Sequence, residues 1–158
     1  MKNSKLFYIA LLVLPWVTVL FLGRNSLKKH LPAAIFMSTF TKALDLFGEK
    51  KKWWRTYVGI PPFKSANFFN FGPYLVTCLW MLKLTYGKFP VFIISNLILE
   101  ICFIYLGGLK FLKRYKIASI DGITKLQYLT IDFIRALLLY SFQYIINVGH
   151  ITKKFYNK

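Results

Sequence analysis

The sequence predicts an all-α integral membrane protein, a helical bundle forming a single membrane domain over residues 1–158, with five transmembrane helices and an interfacial segment. If the second segment is only re-entrant, or the first is peripheral, the spans number four. Three observations carry this. Of the 158 residues, 56% are hydrophobic and 19% aromatic, and the mean hydropathy is +0.48. Charged residues make up 17%, where soluble domains carry roughly a quarter. The formal charge of +17 comes from 22 Lys and Arg against 5 Asp and Glu, and its placement is telling. The ionisable residues inside apolar runs, Lys42, Asp45, Lys83, Glu100, Asp132 and Arg135, cancel in sign. The whole excess is therefore extramembrane.

Segment one runs from Leu6 to Leu22 behind Lys2 and Lys5. A basic start and an apolar run also describe a secretory signal, but no small-x-small cleavage pattern follows, so a retained helix is expected. Pro15 in its middle is tolerable in a membrane, where neighbouring groups satisfy the freed carbonyl. Segment two, Leu31 to Gly48, is the least hydrophobic. It opens with Pro32 in its first turn and holds Lys42 and Asp45, three apart and able to offset each other on one face. After Gly48 comes Lys50-Lys51-Lys52-Trp53-Trp54-Arg55, a basic run with two aromatics suited to lipid headgroups. The interfacial segment, about residues 50–70, is too apolar for a free loop, and Pro61-Pro62 forbids one continuous amphipathic helix.

Segments three and four, Pro73 to Tyr86 and Pro90 to Leu112, are joined by Gly87-Lys88-Phe89, which makes them antiparallel neighbours. Segment four holds Asn96 and Glu100 near its middle and Gly107-Gly108 near its end. A strongly basic connection from Lys110 to Lys125 leads to segment five, Leu126 to Val148. With the N-terminus in the cytoplasm, twelve basic residues lie inside and seven outside, the positive-inside bias. Lys (18) outnumbers Arg (4) in a chain rich in Phe, Ile, Tyr and Asn, which suits a bacterial genome poor in G and C.

The buried charges are the informative residues, because each costs roughly 2.5 to 3.5 kcal/mol at mid-helix and so seeks a partner. At ~1.5 Å per residue, Glu100 (~18 Å from the inner end of its helix) matches Arg135 (~13 Å) within side-chain reach, and Asp132 (~9 Å) matches Lys42 (~9 Å). Segment five also carries Asp132, Arg135, Leu139, Gln143 and Asn147 at spacings of 3, 4, 4 and 4, so one face is polar along its length apart from Leu139. Such a stripe is interhelical glue, the lining of a path for a solute, ion or lipid, or a contact with another subunit.

No Ser-His-acid, HExxH, P-loop or dinucleotide motif is present, and His30 and His150 are the only histidines. Cys78 and Cys102 lie in apolar runs as small hydrophobes. No catalytic residue, metal site or cofactor is expected. The leading expectation is a non-catalytic structural or partner-binding subunit of the bacterial cytoplasmic membrane, multi-pass with a cytoplasmic N-terminus. The alternatives are a small transporter or channel component for a small solute or ion, and a lipid-acting membrane enzyme. The expected partners are a bilayer containing anionic lipids, and another membrane subunit or a second copy of the chain. Nucleic acid is excluded, because the charge is divided between two membrane faces.

Arg24 followed by Leu31-Pro32-Ala33, Asp45 late in the next helix, the pair Trp53-Trp54, a proline-bearing interfacial stretch and Glu100 within a later helix form a further pattern. Over about residues 24–116 the chain resembles an uncharacterised family of small polytopic membrane proteins, of four to five helices, from endospore-forming bacteria. The resemblance implies a fold of this kind and no activity. Segment five, with Asp132 and Arg135, lies beyond it.

Overall fold

The computed structural model describes residue 10 and residues 13–56, 70–115 and 118–156, and these are mostly helical. Helix α1 (Val13–Leu22) closes in a 3₁₀ turn. Gly23, at φ +77°, turns the chain directly into α2 (Arg24–Lys50). Residues 24–30, expected to precede the second helix, are thus its first two turns, and Pro32 lies inside the helix rather than in the first turn. The change is local: a proline there removes one N–H, while the flanking turns hold the helix on either side.

The buried face of α2 reads Ala33, Ala34, Met37, Ser38, Thr41 and Gly48, a four-residue period of mostly small side chains. Small residues let backbones approach closely, and α2 packs against the later helices Leu75–Thr85 and Lys125–Tyr156. Gly48 is needed for a specific reason, since a Cβ there would collide with the Trp54 indole.

Strand β1 (Trp54–Thr56) pairs antiparallel with β2 (Ala118–Ile120), Trp54 opposite Ile120. No strand was expected from the sequence. Three-residue strands carry no usable pattern, and this pair is held by contacts 62 to 66 positions apart in the chain. The pairing places the two strongly basic connections at one end of the bundle, called here the sheet end. Of the expected interfacial segment, residues 57–69 lie outside the described residues, as do residues 6–9, 11 and 12 of segment one.

A π-helical turn (Asn70–Tyr74) enters α3 (Leu75–Thr85), whose Leu75, Val76, Cys78, Leu79, Met81 and Leu82 are buried on almost every side. Helix α1 is fastened to it by polar contacts as well as packing. Trp80 Nε1 donates to Thr18 Oγ1 at 3.1 Å and Lys83 Nζ to the Phe21 carbonyl at 3.0 Å. Lys83 thus serves an orphan carbonyl at the α1 C-terminus.

The tight turn at Gly87 (φ +93°) returns the chain into α4 (Phe89–Tyr105), and a break at Gly107 separates α4 from α5 (Gly108–Arg114). The fourth segment was expected to run unbroken from 90 to 112; it bends by 45°. The cause is local, because Gly107 sits at φ +119° in a conformation no helix interior adopts. At Gly108 a Cβ would strike the Phe103 carbonyl. Helix α6 (Lys125–Tyr156) begins on a reciprocal cap. The Gln127 amide N–H donates to Thr124 Oγ1, and the Thr124 N–H to Gln127 Oε1.

Among the described residues, α6 alone is long and apolar enough to cross a membrane, over Lys125–Gly149. The bent pair α4 and α5 passes the same measure together. The core lies where α2, α3, α4 and α6 meet, around Leu22, Ala33, Met37, Leu79, Leu82 and Phe92. The outer faces of α4 and α6 expose large apolar side chains, among them Ile94, Ile98, Ile101, Ile134, Leu138 and Ile145.

Candidate functional site: a polar-floored cavity at the sheet end

Lys125, Tyr128, Asp132 and Arg135 follow spacings of 3, 4 and 3, so they share one face of α6. All four line a cavity of about 630 Å³ enclosed by the end of α2, the π turn, α3, α4, α5 and β2. The Arg135 side chain crosses its floor. Nη1 donates to Asp132 Oδ1 at 2.7 Å and Nη2 to Asp45 Oδ1 at 3.5 Å. Asp45 Oδ2 accepts from Asn70 Nδ2 at 2.6 Å, and its backbone carbonyl accepts from Trp54 Nε1 at 3.3 Å. Glu100 reaches the floor from α4, its carboxyl beside that of Asp132. Asp132 and Arg135 are each 7% exposed, yet Asp132 Oδ2 and Arg135 Nε have no hydrogen-bond partner among the described residues.

These pairings differ from those expected from depth. Arg135 bonds to Asp132 and Asp45, and Glu100 meets Asp132 rather than the guanidinium. Lys42 forms no ion pair with Asp132 or Asp45 among the described residues. Depth along a helix is one coordinate and rotation about it the other. Thr41 and Asp45 share the face that lines the cavity, while Lys42 is turned about 100° from Thr41. Asn96, the remaining polar residue expected on α4, lines the cavity and donates Nδ2 to the Phe92 carbonyl at 2.8 Å.

The stripe on α6 divides at Leu139, which is buried. Beyond it, Gln143 is fully buried and donates to the Lys29 carbonyl at 3.2 Å and to Asn147 Oδ1 at 3.4 Å. Asn147 Nδ2 donates to the Tyr86 hydroxyl at 2.6 Å. Tyr86 carries Lys29 Nζ 5.0 Å above its ring and packs tilted against His30. Neutral amides thus sew α6 to α2 and to the end of α3.

The basic run at the end of α2 also divides. Lys50, Lys51, Lys52 and Arg55 are exposed, Trp53 is half-buried, and Arg55 lies 3.8 Å from Asp121. Trp54, expected among lipid headgroups, is instead buried, seated on Gly48 and walling the cavity. Sequence reasoning passed over Asn70, Tyr128 and Tyr86. The first falls before the third apolar run, where the sequence reads as connection and the structure has the π turn, and the tyrosines resemble ordinary interfacial aromatics. Tyr128 was the findable one, since it stands at i−4 from Asp132 on the same face.

The mouth of the cavity carries Lys110, Lys113 and Lys125, the last with its ammonium 5.0 Å above the Tyr105 ring. Leu99, Phe103, Leu109 and Phe111 give it an apolar wall. Among the described residues, no three His, Cys, Asp or Glu side chains are grouped to hold a metal ion. No family model matches the chain, and neither a curated protein nor a solved structure was found to be similar to it.

Proposed function

We propose that the chain is a non-catalytic, multi-pass protein of the bacterial cytoplasmic membrane that binds an amphiphilic molecule in the cavity at its sheet end. In this reading the sheet end faces the cytoplasm, and α1, α2, α3, α4 with α5, and α6 cross the bilayer in turn. Supporting the membrane placement are the apolar outer faces of α4 and α6, since a soluble monomer rarely exposes so much contiguous apolar surface. Supporting the cytoplasmic assignment is the gathering of both basic connections at one end. The observation that carries the binding role is a cavity with an ionic floor and an apolar wall, the lining that an amphiphile matches. Asp45, Trp54 and Glu100, which bear the resemblance to the endospore-former family, all line it.

A second reading, a component moving a small solute or ion, draws on the same carboxyl groups. Such a path would have to pass Leu139 and Gln143, both buried and packed. Cysteine labelling on a background lacking Cys78 and Cys102 tests the two together. A cysteine at Asn96 should react from the cytoplasmic side and be protected by added lipid, while one at Gln143 should resist water-soluble reagents. Labelling at Gln143 that a solute suppresses would overturn the binding reading in favour of transport.

A further inference from the structure

The floor of the cavity gathers three carboxyl groups, Asp45, Glu100 and Asp132, around one guanidinium. Arg135 serves Asp45 and one oxygen of Asp132, while the buried Asp132 Oδ2 is left to the Glu100 carboxyl and Tyr128 beside it. Two carboxyl groups this close cannot both be ionised unless a proton or another cation stands between them. A hydrogen-bonding cation can take that proton's place. Asn96 adds a further acceptor, because its amide nitrogen is already used on Phe92 and its oxygen remains.

Two helical turns away on the same face of α6 the sign reverses. Lys125 lies seven residues before Asp132, about 10 Å along the axis, and Lys110 and Lys113 of α5 join it at the mouth. The cavity is acidic within, basic at its rim and apolar along one wall. We propose that it binds a phospholipid with a primary-amine headgroup, an ethanolamine phospholipid. The ammonium enters between Asp132 and Glu100, the phosphate rests among the rim lysines, and the acyl chains follow Leu99 and Phe103. A primary ammonium brings three N–H donors to Asp132 Oδ2, the Glu100 carboxyl and the Asn96 oxygen. A choline headgroup brings charge but no donor, and a glycerol headgroup brings hydroxyls but no charge.

This inference rests on the binding role proposed above, and one experiment separates the two. The full chain, purified in detergent and stripped of lipid, is titrated with phosphatidylethanolamine, phosphatidylcholine, phosphatidylglycerol and water-soluble phosphoethanolamine, with bound lipid counted by native mass spectrometry. Phosphatidylethanolamine should bind about tenfold more tightly than either other lipid, the effect of one to two charge-assisted hydrogen bonds. Glu100→Gln, which removes no ion pair of Arg135, should erase that preference, so that phosphatidylethanolamine binds no more tightly than phosphatidylglycerol. Lys113→Gln, an exposed change at the rim, should weaken both. Equal or tighter binding of phosphatidylglycerol would overturn the headgroup assignment and leave the cavity a lipid site. Phosphoethanolamine binding as tightly as the lipid would overturn the membrane source. No binding of any of the four, with Asn96→Cys unprotected by lipid, would overturn the binding role itself.

Discussion

The two halves of the polar face of α6 obey one periodicity and do different things. At the Gly87 end, Gln143 and Asn147 are neutral amides whose donors meet a carbonyl and a phenol on neighbouring elements, and the atom left over is the neutral Gln143 Oε1. At the sheet end, Asp132 and Arg135 are charged, and the atoms left over, Asp132 Oδ2 and Arg135 Nε, belong to ions. Neutral amides can be buried dry at modest cost, because each has donors and acceptors in equal measure. Charged groups at the same depth must be matched in sign as well as in number. Where carboxyl groups outnumber guanidinium, a proton or another cation has to make up the balance.

The comparison can be broken most forcefully at Arg135. Arg135→Gln strands two carboxylates, a change that costs about 3 to 5 kcal/mol in soluble proteins and less where the unfolded reference stays in the bilayer. It should sharply lower the yield of monodisperse protein in detergent. Adding Asp132→Asn should restore part of that yield, and more of it than adding Glu100→Gln does. Greater recovery with Glu100→Gln would mean that Glu100, not Asp132, is the direct partner.

A smaller effect is expected at Gly48, whose added methyl in Gly48→Ala must displace the Trp54 indole. Overpacking of this kind costs about 1 to 3 kcal/mol. It should lower the melting temperature and shift the tryptophan emission to longer wavelength as Trp54 leaves its slot. It should leave cross-linking between cysteines at Lys29 and Gln143 unchanged, since the slot lies at the opposite end. Loss of that cross-link would show that the two halves are not independent.

The smallest effect belongs to the amides. The coupling between Asn147→Ala and Tyr86→Phe in a double-mutant cycle should be roughly 0.6 kcal/mol, typical of hydrogen bonds between membrane helices. A coupling as large as that between Asp132 and Arg135 would erase the distinction drawn above.

Which parts of this arrangement were legible in the sequence follows from what a one-dimensional pattern contains. The helices were legible because each apolar run ends in charge, proline or glycine, and the close return of α3 into α4 because only three residues separate them. Asp45, Glu100, Asp132 and Arg135 could be picked out because an ionisable group in an apolar run is out of place wherever it falls, but the same rule picks Lys42 and Lys83, which do not line the cavity. The pairing was not legible, since axial depth says nothing of rotation, and Lys42 is turned away from the face that Asp45 occupies. The burial of Trp54 was hidden for a related reason. A tryptophan after a lysine run reads as interfacial until a glycine six residues earlier is seen to make room for it. Gly107-Gly108 stood out in the sequence, but a positive φ at the first of them, and so the bend, belongs to the folded chain.

The bond between Asp45 and Arg135 joins residues 90 positions apart, which gives the molecule an order of assembly. At translation rates of about 5 to 20 residues per second, Asp45 is in place roughly 5 to 18 s before its guanidinium partner is made. Asn70 arrives sooner and can hold one of its oxygens. The second waits for the last helix. On the topology proposed above, we expect chains released after Lys116 to hold α2 only loosely and to be cleared quickly by membrane proteases. Pulse-chase lifetimes of nascent chains ending at Lys116 and at Lys158 would measure this. Equal lifetimes would mean that α2 is secured before α6 exists, and that its aspartate needs no arginine to be held in place.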